Sequence, residues 1–207
     1  MRDAEALGQK WHCHRSIHFR NGLIIALLAY RPVRLGNLAG IVIGQHLVHI
    51  GEGYTLVFAA EETKQREPLE FELPQTLNEP LAAYLAEHRP ALLKLGPHAG
   101  TAGNRLWVSR DGGPLEADGL AQLIKKETKV AFGQSVNPHL FRDCAATTIA
   151  IDDPEHAHVI APILGHSSMT TSERHYNQAR TVDAGRRGAD SQENRRKKWK
   201  NAHSTRS

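Results

Sequence analysis

Between Gln45 and Pro74 the spacing of apolar residues changes from helical to alternating, and this change limits the fold class more than any other feature of the chain. Three runs there have strand character, HLVHI at 46–50, YTLVFA at 54–59 and LEFEL at 69–73. The last alternates, so a strand built from it has one apolar and one polar face. Gly51 and Gly53 supply the first turn, and EETKQREP forms the second connection. On both sides the pattern is helical. Ile17 to Ala29 is apolar enough for a mostly buried helix, which Pro32 breaks, and VRLGNLAGIVIG forms a short second helix starting near Arg34 with Leu35, Leu38 and Ile41 turned inward. Further helices are expected over 75–95, Ala117–Phe132, from Pro138 onward, and over HAHVIAPIL as far as Gly165. The fold class expected is mixed α+β, predominantly helical, with a small three-stranded antiparallel sheet.

At 207 residues the chain suits one substantial domain and leaves little room for a second. The domain is expected over 17–180, with 1–16 a polar lead-in or linker remnant and 181–207 a basic tail. The net charge of +4 invites a polyanionic partner without requiring one. Residues 183–207 hold eight Lys or Arg against three Asp or Glu, which leaves the rest of the chain near −1. The basicity therefore belongs mostly to the tail.

Two cysteines, Cys13 and Cys144, stand far apart and without metal-ligand spacing, which fits a reducing cytoplasm better than a disulfide scaffold. The cluster His12, Cys13 and His14 has no second ligand pair downstream, so no metal is expected. No run reaches the roughly 18 apolar residues of a membrane span, and Met1 opens a polar run unlike a signal peptide. The expectation is a cytoplasmic chain without a membrane partner.

The residues suited to phosphate chemistry gather between Asn137 and Tyr176. On a helix His139 and Arg142 stand three apart and share a face, so an imidazole and a guanidinium can address one ligand. A guanidinium grips phosphate oxygens through a planar fork of donors. Leu164-Gly165-His166 follows, where the glycine permits a turn that exposes the imidazole, and Tyr176 lies ten residues further on. Taken singly, each has a plainer reading as a solvated helix face, a helix stop or a packed phenol. The ordered set carries more weight than its members.

HLFR at 139–142, LGHSS at 164–168 and TTSERHY at 170–176 resemble the signature of the tyrosine recombinases, the phage integrase family. Arg34, followed three residues later by a polar side chain and then Leu38, resembles that family's first arginine motif, with Arg31, before Pro32, a rival that fits it less well. The family usually has Glu or Asp where this chain has Asn37, and that acid helps hold the arginine; an amide supplies no charge. The resemblance also singles out Lys64, on the second hairpin connection, with Arg66 a distant rival. The nucleophile commonly falls nine residues after the turn histidine, a slot filled here by His175 with Tyr176 one later, and no other tyrosine follows Tyr84.

What the resemblance implies is the tyrosine-recombinase catalytic-domain fold and a site made of Arg34, Lys64, His139, Arg142, His166 and Tyr176. The expected function is site-specific DNA recombination through a 3′-phosphotyrosine intermediate with a free 5′ hydroxyl, needing no cofactor, ATP or metal. The expected partner is double-stranded DNA, bound by a homotetramer with weak or no self-association off DNA. The tail is a candidate for exchange between protomers. The helical N-terminal clamp domain of most relatives has no counterpart in these residues, so weak DNA binding and poor activity are expected of the chain alone. The rival readings are a non-catalytic DNA-binding relic, a type IB topoisomerase-like enzyme, and a metal-dependent nuclease that would want clustered carboxylates.

Overall fold

The computed structural model describes residues 2–63 and 66–152. The chain divides into two compact units, Met1–Arg142 and Asp143–Ser207. Helix α1 runs unbroken over Arg2–Tyr30, so the polar lead-in continues the apolar helix beginning at Ile17. Its inner stripe is Leu23, Ile24, Leu27 and Leu28, the i, i+3, i+4 pattern of a helix with one face in a core. Pro32 has no N–H and ends the helix, and α2 (Leu35–Gly40) starts two residues after Val33 with Arg34 as its extended N-terminal cap.

The sheet has the order β1 (Leu47–Ile50), β2 (Gly53–Phe58), β3 (Leu69–Glu72), antiparallel throughout. Leu47 pairs with Leu56, and Leu56 with Phe71, so apolar side chains line up across the three strands. Leu56 and Phe58 are buried while Glu70 and Glu72 face solvent, which is the one-sided burial that the alternation of LEFEL calls for.

Where one helix is expected over 75–95, the chain forms a 3₁₀ turn (Gln75–Leu77), α3 (Asn78–Ala83), a π turn (Tyr84–His88) and α4 (Arg89–Leu93). Pro90 accounts for the irregularity. It cannot donate to the helical ladder and its ring crowds the carbonyl four residues back, and a wider turn just before it relieves that crowding. The long segment from Leu95 to Glu116 forms only isolated bridges, yet it delivers Leu106, Trp107 and Val108 into the core. Helix α5 (Ala117–Phe132) adds Leu120 and Ile124, and α6 (Pro138–Asp152) begins after a short link. Among the described residues no helix is long and apolar enough to cross a membrane.

Buried polar groups tie the first unit together. Arg20 is 4% exposed, and its guanidinium donates to the Val108 carbonyl and to Asn21 Oδ1; Asn21 in turn donates to Glu127 on α5 at 2.8 Å. Burial pushes the Arg20 pKa down, with Tyr84 and Glu127 opposing the shift. The Tyr84 hydroxyl donates to Leu106 at 3.1 Å, and burial raises its pKa to about 12.

The turn between Leu95 and Gly113 is closed by a backbone approach that only glycine allows. At Gly112, φ is +82°, and a Cβ there would stand 2.2 Å from the Leu95 carbonyl oxygen and 2.8 Å from the Ala99 Cα. Gly100 shares the left-handed conformation, φ +77°, but has open space around it. Gly100→Ala is therefore expected to cost only the left-handed backbone strain of about 1–2 kcal/mol, whereas Gly112→Ala must also move backbone and should cost more than ~3 kcal/mol. Urea unfolding of the two variants checks the ranking.

Candidate active site

The site is built from the junction between α1 and α2. Because Pro32 stops α1, its carbonyl has no helical partner, and Arg142 of α6 takes it. The guanidinium Nη1 donates to the Pro32 oxygen at 2.7 Å, across 110 positions of sequence, and Arg142 is 6% exposed. Arg34 lies two residues beyond that carbonyl and is half-buried; burial lowers the pKa of its guanidinium. Its backbone carbonyl accepts the Leu38 N–H at 2.8 Å, which fixes it at the head of α2.

The start of α6, residues 138–142, is set in place by the link before it. Gly133 ends α5 in the left-handed conformation, and buried Thr128 accepts the Val136 N–H at 2.9 Å. Asn137 then caps α6, its Oδ1 accepting the His139 N–H at 3.2 Å. The first turn places His139 at the exposed surface and Arg142 one turn further in, against Pro32. The two side chains share a helix face as their spacing requires, and they differ sharply in burial.

Opposite α2 stands the connection between β2 and β3. Asn37 Nδ2 donates to the Glu62 carbonyl at 3.1 Å. The Glu62 carboxylate accepts the Ala59 N–H at 2.8 Å with one oxygen and meets His46 Nε2 at 2.7 Å with the other. These two bonds, the Ala59 one first, hold the Glu62 carboxyl below the usual range. The His46 ring stacks on Phe58 with centroids 5.5 Å apart, and its Nδ1 accepts the Val42 N–H at 2.9 Å, which assigns the proton to Nε2. Together with Gly36 and Gly40 these side chains line a cleft of ≈270 Å³. The two glycines stand four apart on α2 and keep its facing surface bare.

Thr63 closes the base of the following turn. Its hydroxyl donates to the Glu67 carbonyl at 2.7 Å and accepts the Glu67 N–H at 3.1 Å. Within that turn Arg66, the rival to Lys64, is exposed and takes a left-handed φ of +56°. Lys64 itself lies outside the described residues, as do His166, Tyr176 and the basic tail over 181–207.

Of the six site residues read from the sequence, the described part contains Arg34, His139 and Arg142. It brings the Arg142 guanidinium to the loop that carries Arg34. The sequence reading missed His46 and Glu62. They are sixteen apart, and neither sits in a motif; the only local hint is Glu62 at the third position of a turn whose cap is Ala59. Asn37, in the usual place of an acid, acts as a donor toward a carbonyl.

No family model matches the chain. Among curated proteins it is similar to the tyrosine recombinase XerD of Corynebacterium glutamicum, 33% identical over 91 residues, which is 44% of this chain and 28% of the relative. It is also similar to the tyrosine recombinase XerC of Bifidobacterium longum subsp. infantis, 27% identical over 158 residues, 75% of this chain and 42% of the relative. The chain thus spans less than half the length of these relatives. Among solved structures it superposes on the XerH site-specific recombinase bound to palindromic difH substrate with a TM-score of 0.63 and 19% identity, covering 82% of this chain and 46% of that one. The XerA recombinase gives a TM-score of 0.60 at 22% identity, covering 82% and 58%. The shared fold and these relatives agree: the chain is similar to the tyrosine recombinases and has their catalytic-domain fold.

Proposed function

We propose that the chain is the catalytic part of a site-specific DNA recombinase that breaks and rejoins strands through a covalent 3′-phosphotyrosine. The observation that carries this reading is the Arg142 to Pro32 hydrogen bond, which commits the guanidinium of the His-x-x-Arg motif to the junction bearing Arg34. In the proposed site the guanidiniums of Arg142 and Arg34 together answer the main difficulty of attacking a phosphodiester, the charge that builds on its oxygens.

In the proposed step the Tyr176 oxygen bonds to phosphorus as the bond from phosphorus to the 5′ oxygen breaks. The phenol proton passes to a base, for which His139 is the candidate, and Lys64 gives a proton to the departing oxygen. His166 donates a hydrogen bond to the phosphate. The phosphodiester energy is kept in the tyrosyl link, so rejoining needs no nucleotide cofactor. Double-stranded DNA is the proposed substrate, and a homotetramer on DNA the proposed assembly. The XerH structures bound to difH substrate, one of them a post-cleavage complex, support this by the likeness of fold.

On a nicked duplex that traps the cleaved state, Tyr176→Phe is expected to abolish the covalent protein–DNA adduct while leaving DNA retention in a gel intact. An undiminished adduct in that variant would exclude Tyr176 as the nucleophile, and no adduct from the unaltered chain would favour a DNA-binding relic, a reading that Asn37 in the usual place of an acid invites. Arg142→Lys keeps the charge but loses the planar fork, and adduct formation should slow by ~10²-fold. A rate within about twofold of the unaltered chain would remove Arg142 from the phosphate site.

A further inference from the structure

Glu62 is the meeting point of three pieces of chain, α2, the segment before β1 and the end of β2, of which only the last two are already joined by strand pairing. Its backbone carbonyl is bound by Asn37, three residues along α2 from Arg34. One carboxylate oxygen is bound by His46, in the segment between α2 and β1, and the other by Ala59 at the end of β2. A local cap of the 3₁₀ turn Ala60–Glu62 needs only the Ala59 bond. The bonds to His46 and Asn37 reach outside the turn and serve no cap.

The chain leaves Glu62 through Thr63, whose hydroxyl clamps Glu67, and Lys64 follows at once. The start of this turn is therefore fastened to the helix headed by Arg34, and its base is closed on itself. The His46 end of the fastening is rigid: the ring is 7% exposed at the residue level, stacked on Phe58 and bound at both nitrogens.

We propose that Glu62 is a positioning residue for the proton-donating step of strand cleavage, setting the turn that bears Lys64 relative to the Arg34 helix. The proposal deepens the function argued above and rests on Lys64 being the acid for the 5′ oxygen. A proton donor works only within hydrogen-bond reach of its acceptor, and a displacement of ~1 Å costs on the order of 10²-fold in rate. A lysine has a long flexible stem, so the backbone at its root decides how often the ammonium is in reach. Glu62→Gln keeps the shape but removes the charge, which weakens the grip on the His46 and Ala59 donors together.

The test separates positioning of an acid from general loosening. Adduct formation by the full chain, in excess over a nicked duplex, is measured with the ordinary 5′ oxygen at the scissile bond and with sulfur in its place. A thiolate leaves without a proton because a thiol ionises near pKa ~8.5, far below an alcohol or water. Glu62→Gln is expected to slow cleavage at least ~10-fold on the oxygen substrate and to match the unaltered chain within about twofold on the sulfur substrate, as Lys64→Ala should. Glu61→Gln, which removes the neighbouring exposed charge, should behave as the unaltered chain on both.

Equal slowing on both substrates, or no slowing on oxygen, overturns the positioning role. Asn37→Ala cuts the carbonyl link alone and is held to the same two criteria, so it decides the matter if Glu62→Gln melts below the assay temperature. If sulfur fails to rescue Lys64→Ala, or the unaltered chain forms no adduct, the reading of Lys64 falls and the proposal falls with it. Rescue of Lys64→Ala without rescue of Glu62→Gln rejects the proposal alone.

Discussion

A guanidinium withdrawn from water and pointed at a backbone carbonyl is the contact on which the first unit's functional half depends. Taking a cation out of solvent is costly unless strong hydrogen bonds replace hydration. The Pro32 carbonyl can serve Arg142 because proline stops α1, leaving an acceptor that no helical N–H claims. The same proline turns the chain into α2 and places Arg34 at its head. One residue thus ends a helix, orients the next and supplies the acceptor for a side chain 110 positions away. This coupling makes the position of residues 138–142, the start of α6, and the conformation of the junction a single structural fact.

The segments with strong periodicity were legible in the sequence. LEFEL became β3 within a residue, and the apolar run to Ala29 became the inner half of α1. What escaped has physical reasons. The residues before Ile17 are polar, so helix continuation through them leaves no apolar stripe to read. The π turn answers a steric demand of Pro90 that apolar spacing does not register. His46 and Glu62 come together because the antiparallel register returns the end of β2 beside the start of β1, and such proximity exists only once the strands pair. Lys64, His166 and Tyr176 were named on motif grounds alone and lie outside the described residues.

Asn37 shows how a departure from a family pattern can keep a mechanical task while losing an electrostatic one. A carboxylate at that place would be an acceptor with a charge, suited to an arginine. The amide brings a donor, and the donor finds the Glu62 carbonyl, which an acid could not bind. The link from α2 to the hairpin connection is therefore specific to the amide. The negative charge in this cleft comes instead from Glu62, whose carboxyl is kept ionised by the Ala59 and His46 bonds.

Partial burial gives Arg34 its electrostatic character. Desolvation lowers its pKa, yet a guanidinium stays charged at any physiological pH. A cation with part of its hydration already stripped gains more from an incoming phosphate than one fully in water, because the field between them is less screened and less solvent must be displaced on contact. Arg142 is more deeply buried and holds a backbone carbonyl with one nitrogen, so it is oriented before any substrate arrives. In the proposed reaction these differences assign complementary parts: the deeper guanidinium fixes where a phosphate can sit, and the shallower one answers the charge that the phosphate brings.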